Sequence, residues 1–215
     1  MQDTPRHQGL RNKLVAALRN KGITNEKVLY AIQKLPRHFF IPHEFEHFAY
    51  QDKPFAIDEG QTISQPYTVA FQTQLINPQE GEKILEIGTG SGYQAAILSL
   101  CGAEVWSIER IEILHKKSKT LLHKLGIDVN TKLGDGTLGW KENAPFDKII
   151  VTAGAPKIPT ALFNQLQING TLIIPVGNAE NKQKMVKLIK IDHLNYKTEI
   201  FENFSFVPLI GEQGW

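Results

Sequence analysis

Gly81-Glu82-Lys83-Ile84-Leu85-Glu86-Ile87-Gly88-Thr89-Gly90-Ser91-Gly92-Tyr93-Gln94-Ala95-Ala96-Ile97-Leu98 is the stretch whose reading decides the fold. Ile84 to Ile87 read as a buried strand, the next residues as a turn with glycine at every second position, and Tyr93 opens a helix at once. Glycine lets backbone approach a ligand closely, and the first helical turn offers unpaired N–H groups to something polar. The pattern therefore points to a nucleotide-type cofactor. Its spacing is Gly-x-Gly-x-Gly, not the Gly-x-Gly-x-x-Gly that seats a dinucleotide pyrophosphate. A cofactor without a pyrophosphate fits better.

Working outward, Ala103 to Glu109 form a second strand ending on an acid 21 residues after Gly88. A βαβ nucleotide fold places a ribose-binding carboxylate there, so Glu109 is the ribose candidate. Leu133-Gly134-Asp135-Gly136 follows a third strand, and Asp135 is the candidate acceptor for an exocyclic amine. In that order these residues resemble the class I S-adenosylmethionine-dependent methyltransferases.

The 215 residues, 41% of them hydrophobic, are enough for one full core, and the net charge of +2 is dispersed. No nucleic-acid footprint is implied. Cys101 is the lone cysteine, cannot form an internal disulfide, and reads as a small buried hydrophobe at an apolar helix end. The N-terminal residues lack the apolar region of a signal peptide, and no segment approaches the roughly 20 apolar residues that span a bilayer. The expectation is a cytoplasmic protein with no membrane partner.

Two helices precede the glycine turn, one from about Arg6 to Asn20 and one capped by Thr24 and ended by Pro36. His43-Glu44-Phe45-Glu46-His47 matches a zinc-binding H-E-x-x-H pattern. Pro42 permits only a short helix there and no third ligand stands out, so both histidines read as surface residues and no metal is expected. Residues 58–67 are polar and turn-rich. Taken alone, Thr62 and Ser64 read as N-caps of the amphipathic helix that ends before Asn77-Pro78.

After Glu109 come a helix (Ile111 to Leu125), a strand (Asp128 to Leu133), a strand (Phe146 to Val151), a helix (Pro159 to Leu166) and a strand (Thr171 to Val176). This alternation implies an α/β fold with a parallel, doubly wound sheet. Met185 to Ile191 and Glu199 to Val207 follow as strand upon strand, so the sheet should finish in an antiparallel hairpin. Lys182, Lys184, Lys187 and Lys190 read as a solvated or edge-protecting face.

The chain closely resembles the protein-L-isoaspartate O-methyltransferase family. The resemblance runs in order through Leu35-Pro36-Arg37, Ala49-Tyr50, Gly60-Gln61-Thr62-Ile63-Ser64-Gln65-Pro66 and Leu85 to Gln94. It continues through Ser107-Ile108-Glu109-Arg110, Gly134-Asp135-Gly136, Val151-Thr152-Ala153 and Phe206-Val207-Pro208-Leu209. Gln61 to Pro66 is its specific part, because the glycine turn is shared across class I methyltransferases. It implies a Rossmann-like class I fold with a mostly parallel seven-stranded sheet, a helical extension over residues 1–80 carrying the substrate-side loop 58–67, and a cofactor-binding core over 81–215, together one compact domain.

The resemblance reverses the reading of Ser64, which it makes the catalytic residue at the substrate carboxylate, with Ile63 beside it. It implies S-adenosyl-L-methionine as cofactor and S-adenosyl-L-homocysteine as product. Gln61, Thr62, Glu86, Gly88, Gly90, Gly92, Glu109, Arg110, Asp135 and Gly136 are the implied cofactor residues. The implied substrates are damaged proteins and peptides carrying isoaspartyl residues, and the expected state is a monomer. Pro54-Phe55-Ala56-Ile57 and the short C-terminus after Leu209 depart from the family pattern, both on the peptide side. A methyltransferase for a small acceptor, a dinucleotide-dependent oxidoreductase and a non-catalytic cofactor-binding module are the competing readings.

Overall fold

The structure, a computed structural model, describes residues 2–178 and 182–215. Helix α1 (Pro5–Asn20) opens with a capping box in which Thr4 and His7 satisfy each other's backbone N–H groups. Helix α2 (Glu26–Lys34) is capped by Asn25, whose side chain accepts from the N–H groups of Lys27 and Val28 at 3.1 and 3.2 Å. This corrects the assignment to Thr24. The N–H groups of Thr24 and Asn25 instead meet the side-chain oxygen of Gln74 at 2.7 and 3.0 Å, tying α2 to the next helix.

A short 3-10 helix over His43–Phe48 carries the H-E-x-x-H residues. His43 and His47 are exposed, as expected, and Glu46 faces His43 and His7. Strands β1 (Phe55–Ala56) and β2 (Thr62–Ile63) then pair antiparallel, so residues 55–63 form a hairpin. Helix α3 (Pro66–Ile76) begins at a proline, with Gln65 at the N-cap and no side-chain cap bond. Neither Thr62 nor Ser64 caps it, which corrects the reading of those residues taken alone. Asn77, in the left-handed region at φ 48°, ends α3 before Pro78.

The rest alternates as the sequence predicts: β3 (Lys83–Ile87), α4 (Tyr93–Leu100), β4 (Glu104–Glu109), α5 (Glu112–Lys124), β5 (Asn130–Leu133), β6 (Phe146–Val151), α6 (Thr160–Gln165), β7 (Leu166–Val176), β8 (Gln183–Lys190) and β9 (Tyr196–Phe204). The seven strands lie in the order β5-β4-β3-β6-β7-β8-β9. All pairs from β5 to β7 are parallel, and β8 and β9 close the sheet as an antiparallel hairpin. Strand β7 starts at Leu166 rather than Thr171 because Leu166 pairs with Phe146 before a register shift.

The solvated lysine face holds for Lys182 and Lys184, which are exposed, and in part for Lys187, which is half-buried, but not for Lys190. Strand β8 lies inside the sheet, and β9 is the edge. Lys190 is 2% exposed, and its Nζ donates to the carbonyls of Phe163 and Leu166 at 2.9 and 2.6 Å. Burial lowers its pKa, and the two carbonyls replace the water it loses.

Side chains alternate across the sheet. Leu85, Ile87, Ile149, Val151, Leu172 and Ile174 enter one apolar cluster, while Ile84, Ile150 and Ile173 enter another with Ala95 and Leu98 of α4. A third cluster joins Leu14, Leu18, Val28, Leu29 and Val69 of the first three helices to Tyr93, Ala96 and Ile97 of α4. The N-terminal helices thus stand against the helix that opens at the glycine turn. Cys101 is buried, and burial raises its thiol to about 11, as suits a packing residue. No helix among the described residues is long and apolar enough to cross a membrane.

Candidate active site

Strand β3 is where the strand order reverses, since β4 and β5 lie on one side of it and β6 on the other. In open α/β sheets ligands bind at such a switch point, beyond the strands' carboxyl ends. A cleft opens there, lined by Gly88 to Ser91, Glu109 to Ile111, Gly136, Thr152, Ala153, the loop Gln61 to Ser64, and Val207 to Ile210.

The glycine turn is required by its backbone. Gly88 sits at φ 94°, and a Cβ there would fall 2.6 Å from Thr152 Oγ1. That hydroxyl is fixed, because it donates to the carbonyls of Ile87 and Gly88 at 2.9 and 2.7 Å. Gly90, at φ 52°, has open space where a Cβ would point. Its N–H donates to Glu109 Oε2 at 2.8 Å, and Glu109 Oε1 accepts from Ile111 N–H at 2.9 Å. Glu109 therefore holds the turn in place while lining the cleft, and each oxygen keeps a lone pair for a further donor. This backbone cradle beside a carboxylate fits the ribose end of S-adenosyl-L-methionine.

Other predicted residues fall elsewhere. Gly92 lies behind the turn against Leu122 and Ser118, where it serves the chain path into α4. Glu86 is fully buried beneath the turn and outside the cleft lining. It accepts a short hydrogen bond from Ser107, whose hydroxyl lies 2.6 Å from that of Thr89. Burial, helped by the nearby charge of Glu109, pushes the Glu86 carboxyl up to about 8.

Asp135 also lies outside the cleft lining. Its Oδ1 accepts from the N–H and hydroxyl of Thr137 at 2.8 and 2.7 Å, and its Oδ2 from the N–H of Glu212 at 2.8 Å. Burial alone would raise its pKa, but these donors outweigh it and hold the carboxyl low. Asp135 is thus a tie between the β5 turn and the last residues of the chain. Gly136 does line the cleft, with no room for a Cβ because Ile87 Cγ2 would be 2.4 Å away. Arg110 is exposed at the rim.

A second groove runs along α3 and the end of β9, lined by Tyr67, Phe71, Phe201, Phe204 and Phe206 among others. It shares Thr62, Ser64, Thr152 and Val207 with the cofactor cleft. Ser64 is half-buried, and its hydroxyl makes no hydrogen bond to another described residue. It stands where the two spaces meet. Sequence reasoning assigned no role to Thr152, Tyr93 or Val207 to Ile210. For Thr152 a signal existed, since it follows a strand beside the switch point. For Val207 to Leu209 the family resemblance marked the segment but gave it no role, because these residues reach the cleft through tertiary contacts. Their segment is anchored by Trp215, whose indole N–H donates to the Gly154 carbonyl at 3.0 Å and whose backbone N–H donates to the Leu209 carbonyl at 2.9 Å.

A glycine cradle at the switch point of a sheet that ends in an antiparallel hairpin defines a Rossmann-like class I methyltransferase. Residues 9–214 match the family described as Protein-L-isoaspartate(D-aspartate) O-methyltransferase, and the chain belongs to that family. It is 56% identical to the protein-L-isoaspartate O-methyltransferase of Flavobacterium psychrophilum, over 99% of this chain and 100% of the relative. It is 52% identical to the one from Christiangramia forsetii, over the same shares of each chain. A solved protein-L-isoaspartate O-methyltransferase superposes with a TM-score of 0.84 at 28% identity, covering 95% of this chain and 67% of the other. A Plasmodium falciparum protein, described as a candidate member of the same enzyme class and solved with S-adenosyl-L-homocysteine, superposes with a TM-score of 0.82 at 25% identity, covering 93% and 98%. The family match disfavours the small-acceptor and dinucleotide readings.

Proposed function

We propose that this chain transfers a methyl group from S-adenosyl-L-methionine to the side-chain carboxylate of L-isoaspartyl residues in damaged proteins and peptides, beginning their repair. The observation that carries this reading is the position of Ser64. Its hydroxyl, unbonded among the described residues, stands at the junction of a cofactor cleft and a groove lined by Tyr67, Phe71, Phe201, Phe204 and Phe206.

The bound cofactor supplies an electrophilic methyl group on a sulfonium. Gly88, Gly90 and Gly136 would offer backbone to it, Glu109 with Arg110 would hold its ribose, and Gln61 and Thr62 would enclose it. The acceptor carboxylate has a pKa near ~4 and is ionised at neutral pH, so no general base is needed. The protein's task is then alignment and exclusion of water. Ser64 donates a hydrogen bond that orients the carboxylate, and Ile63 closes the acceptor side. Away from the enzyme the backbone amide nitrogen attacks the methyl ester that forms, expelling methanol and closing a succinimide, and hydrolysis of that ring restores part of the normal aspartyl linkage. In this reading Glu86 and Gly92 shape the turn from behind, and Asp135 acts on the adenine side through the wall it ties. Residues 1–80 supply the acceptor wall and residues 81–215 the cofactor core of one compact domain. The enzyme works in the cytoplasm as a monomer, without a metal.

The direct test offers labelled S-adenosyl-L-methionine with an isoaspartyl peptide and with its normal aspartyl counterpart. Label is expected only on the isoaspartyl peptide and should leave as methanol in mild base. Label on neither peptide, with cofactor still bound, would send the search to another acceptor.

A further inference from the structure

Arg37 is fully buried, yet it takes part in no ion pair among the described residues. Its Nε donates to the Ala49 carbonyl at 3.0 Å and its Nη2 to the Ser64 carbonyl at 2.9 Å, while Nη1 has no hydrogen-bond partner among the described residues. The guanidinium lies 4.8 Å from the centre of the Tyr93 ring, and Tyr93 lines the cofactor cleft. Asp52 is the acid whose charge acts on it. That carboxylate is already taken up by Lys21 Nζ at 2.6 Å and Tyr67 N–H at 2.8 Å.

An arginine stays protonated even when buried, and an uncompensated cation inside a protein is costly. If its role were only to hold the loop, a neutral donor would bond the two carbonyls without that cost. The charge lies directly behind the carbonyl of the residue at which the acceptor docks. Charges separated by less than about 10 Å in a poorly solvated site still interact by several-fold to tenfold in binding.

We infer that Arg37 is a positioning residue for the acceptor: its two carbonyl bonds fix the Ser64 backbone, and its unneutralised charge selects a substrate that brings a carboxylate. The inference rests on the proposed isoaspartyl reading. Among the described residues lining the acceptor groove the one cation is Lys182, which is exposed to water, so Arg37 is the charge beside Ser64 that is held out of solvent. Tyr93 shields the guanidinium from the cofactor space and stabilises it through its π face, so the charge acts on the acceptor side without competing for the cofactor.

The test compares binding of two peptides that differ only at the acceptor, one isoaspartyl with its free carboxylate and one with that carboxylate replaced by a carboxamide. S-Adenosyl-L-homocysteine is held saturating throughout. Wild type should prefer the carboxylate; if it does not, the acceptor assignment itself fails. Arg37→Gln keeps a donor and loses the charge, and its preference should fall by about tenfold. Arg37→Lys keeps the charge and loses the fork; its preference should stay within about threefold of wild type while kcat drops. A merely structural arginine would weaken both peptides equally in both variants, leaving the preference unchanged, and that result overturns the inference. Should Arg37→Gln not fold, loss of the preference in Arg37→Lys equally overturns it.

Discussion

The two walls of the cleft are built by different means. The cofactor wall is made of strand ends in which each group is held from several sides: Gly88 against Thr152, Gly90 on Glu109, Glu109 on Ile111. The acceptor wall hangs on fewer ties. A two-residue strand pair, an exposed Asp58–Lys117 ion pair of 2.8 Å and one buried guanidinium bond hold residues 58–64 in place. In the proposed function, a rigid cradle for an invariant cofactor faces a loop that must admit many different damaged chains. Substitutions on the first wall should therefore cost binding and stability together, and those on the second should cost rate.

The largest effect is expected at Gly88→Ala, which places a methyl on the doubly bonded Thr152 hydroxyl at a positive φ. Calorimetry should record a loss of about 100-fold or more in S-adenosyl-L-homocysteine affinity, with about 2–4 kcal/mol of lost stability. An alanine variant that binds as wild type does would show that the cradle is softer than its geometry.

Glu86 sharpens the comparison through pH. Its carboxyl is raised to about 8 in the fold against an ordinary 4.5, so over that window the unfolded chain has lost a proton that the folded chain keeps. Stability is full below about pH 4.5 and falls as pH rises toward 8. Glu86→Gln should flatten that slope, with a gain of about 2–4 kcal/mol relative to wild type at pH 8 and little difference at pH 4. Denaturant titrations at the two pH values measure it, and parallel curves for both proteins would mean that Glu86 is ionised in the fold.

On the other wall, Ser64→Ala should slow methyl transfer by about 10–100-fold, the worth of one hydrogen bond to a charged group. Affinity for S-adenosyl-L-homocysteine should stay within about twofold. If the variant lost cofactor affinity as well, the two walls would not be separable in this way. The smallest effect belongs to Lys117→Met, since both partners of its ion pair are well exposed. A change of less than about 1 kcal/mol in stability is expected, and a large rise in peptide KM would reveal that this surface tie holds the loop.

The same contrast governs what the sequence made legible. The glycine turn, the strands around it and Glu109 announce themselves locally, because positive φ angles and strand periodicity are written in neighbouring residues. Ser64 looked like an N-cap until the family resemblance gave it a role. What sets it apart is its place between two spaces formed by segments remote in sequence. Asp135 shows the limit from the other side. Its turn was foreseen, but its oxygens are taken by Thr137 and Glu212, a partnership between residues far apart in the chain. Lys190 misled because β8 became an inner strand, so a lysine spaced like its exposed neighbours found carbonyls instead of water.

The tie from Asp135 to Glu212 and the anchor of Trp215 on Gly154 have a consequence for synthesis. A ribosome-bound chain can complete α1 through β7 and still lack one side of its cleft, because Val207 and Leu209 dock on Gly154 late and are reinforced by Glu212 and Trp215 later still. A chain that stops before Val207 is expected to lack the wall that these residues add to the cleft, so the cleft is completed only after β9 has formed.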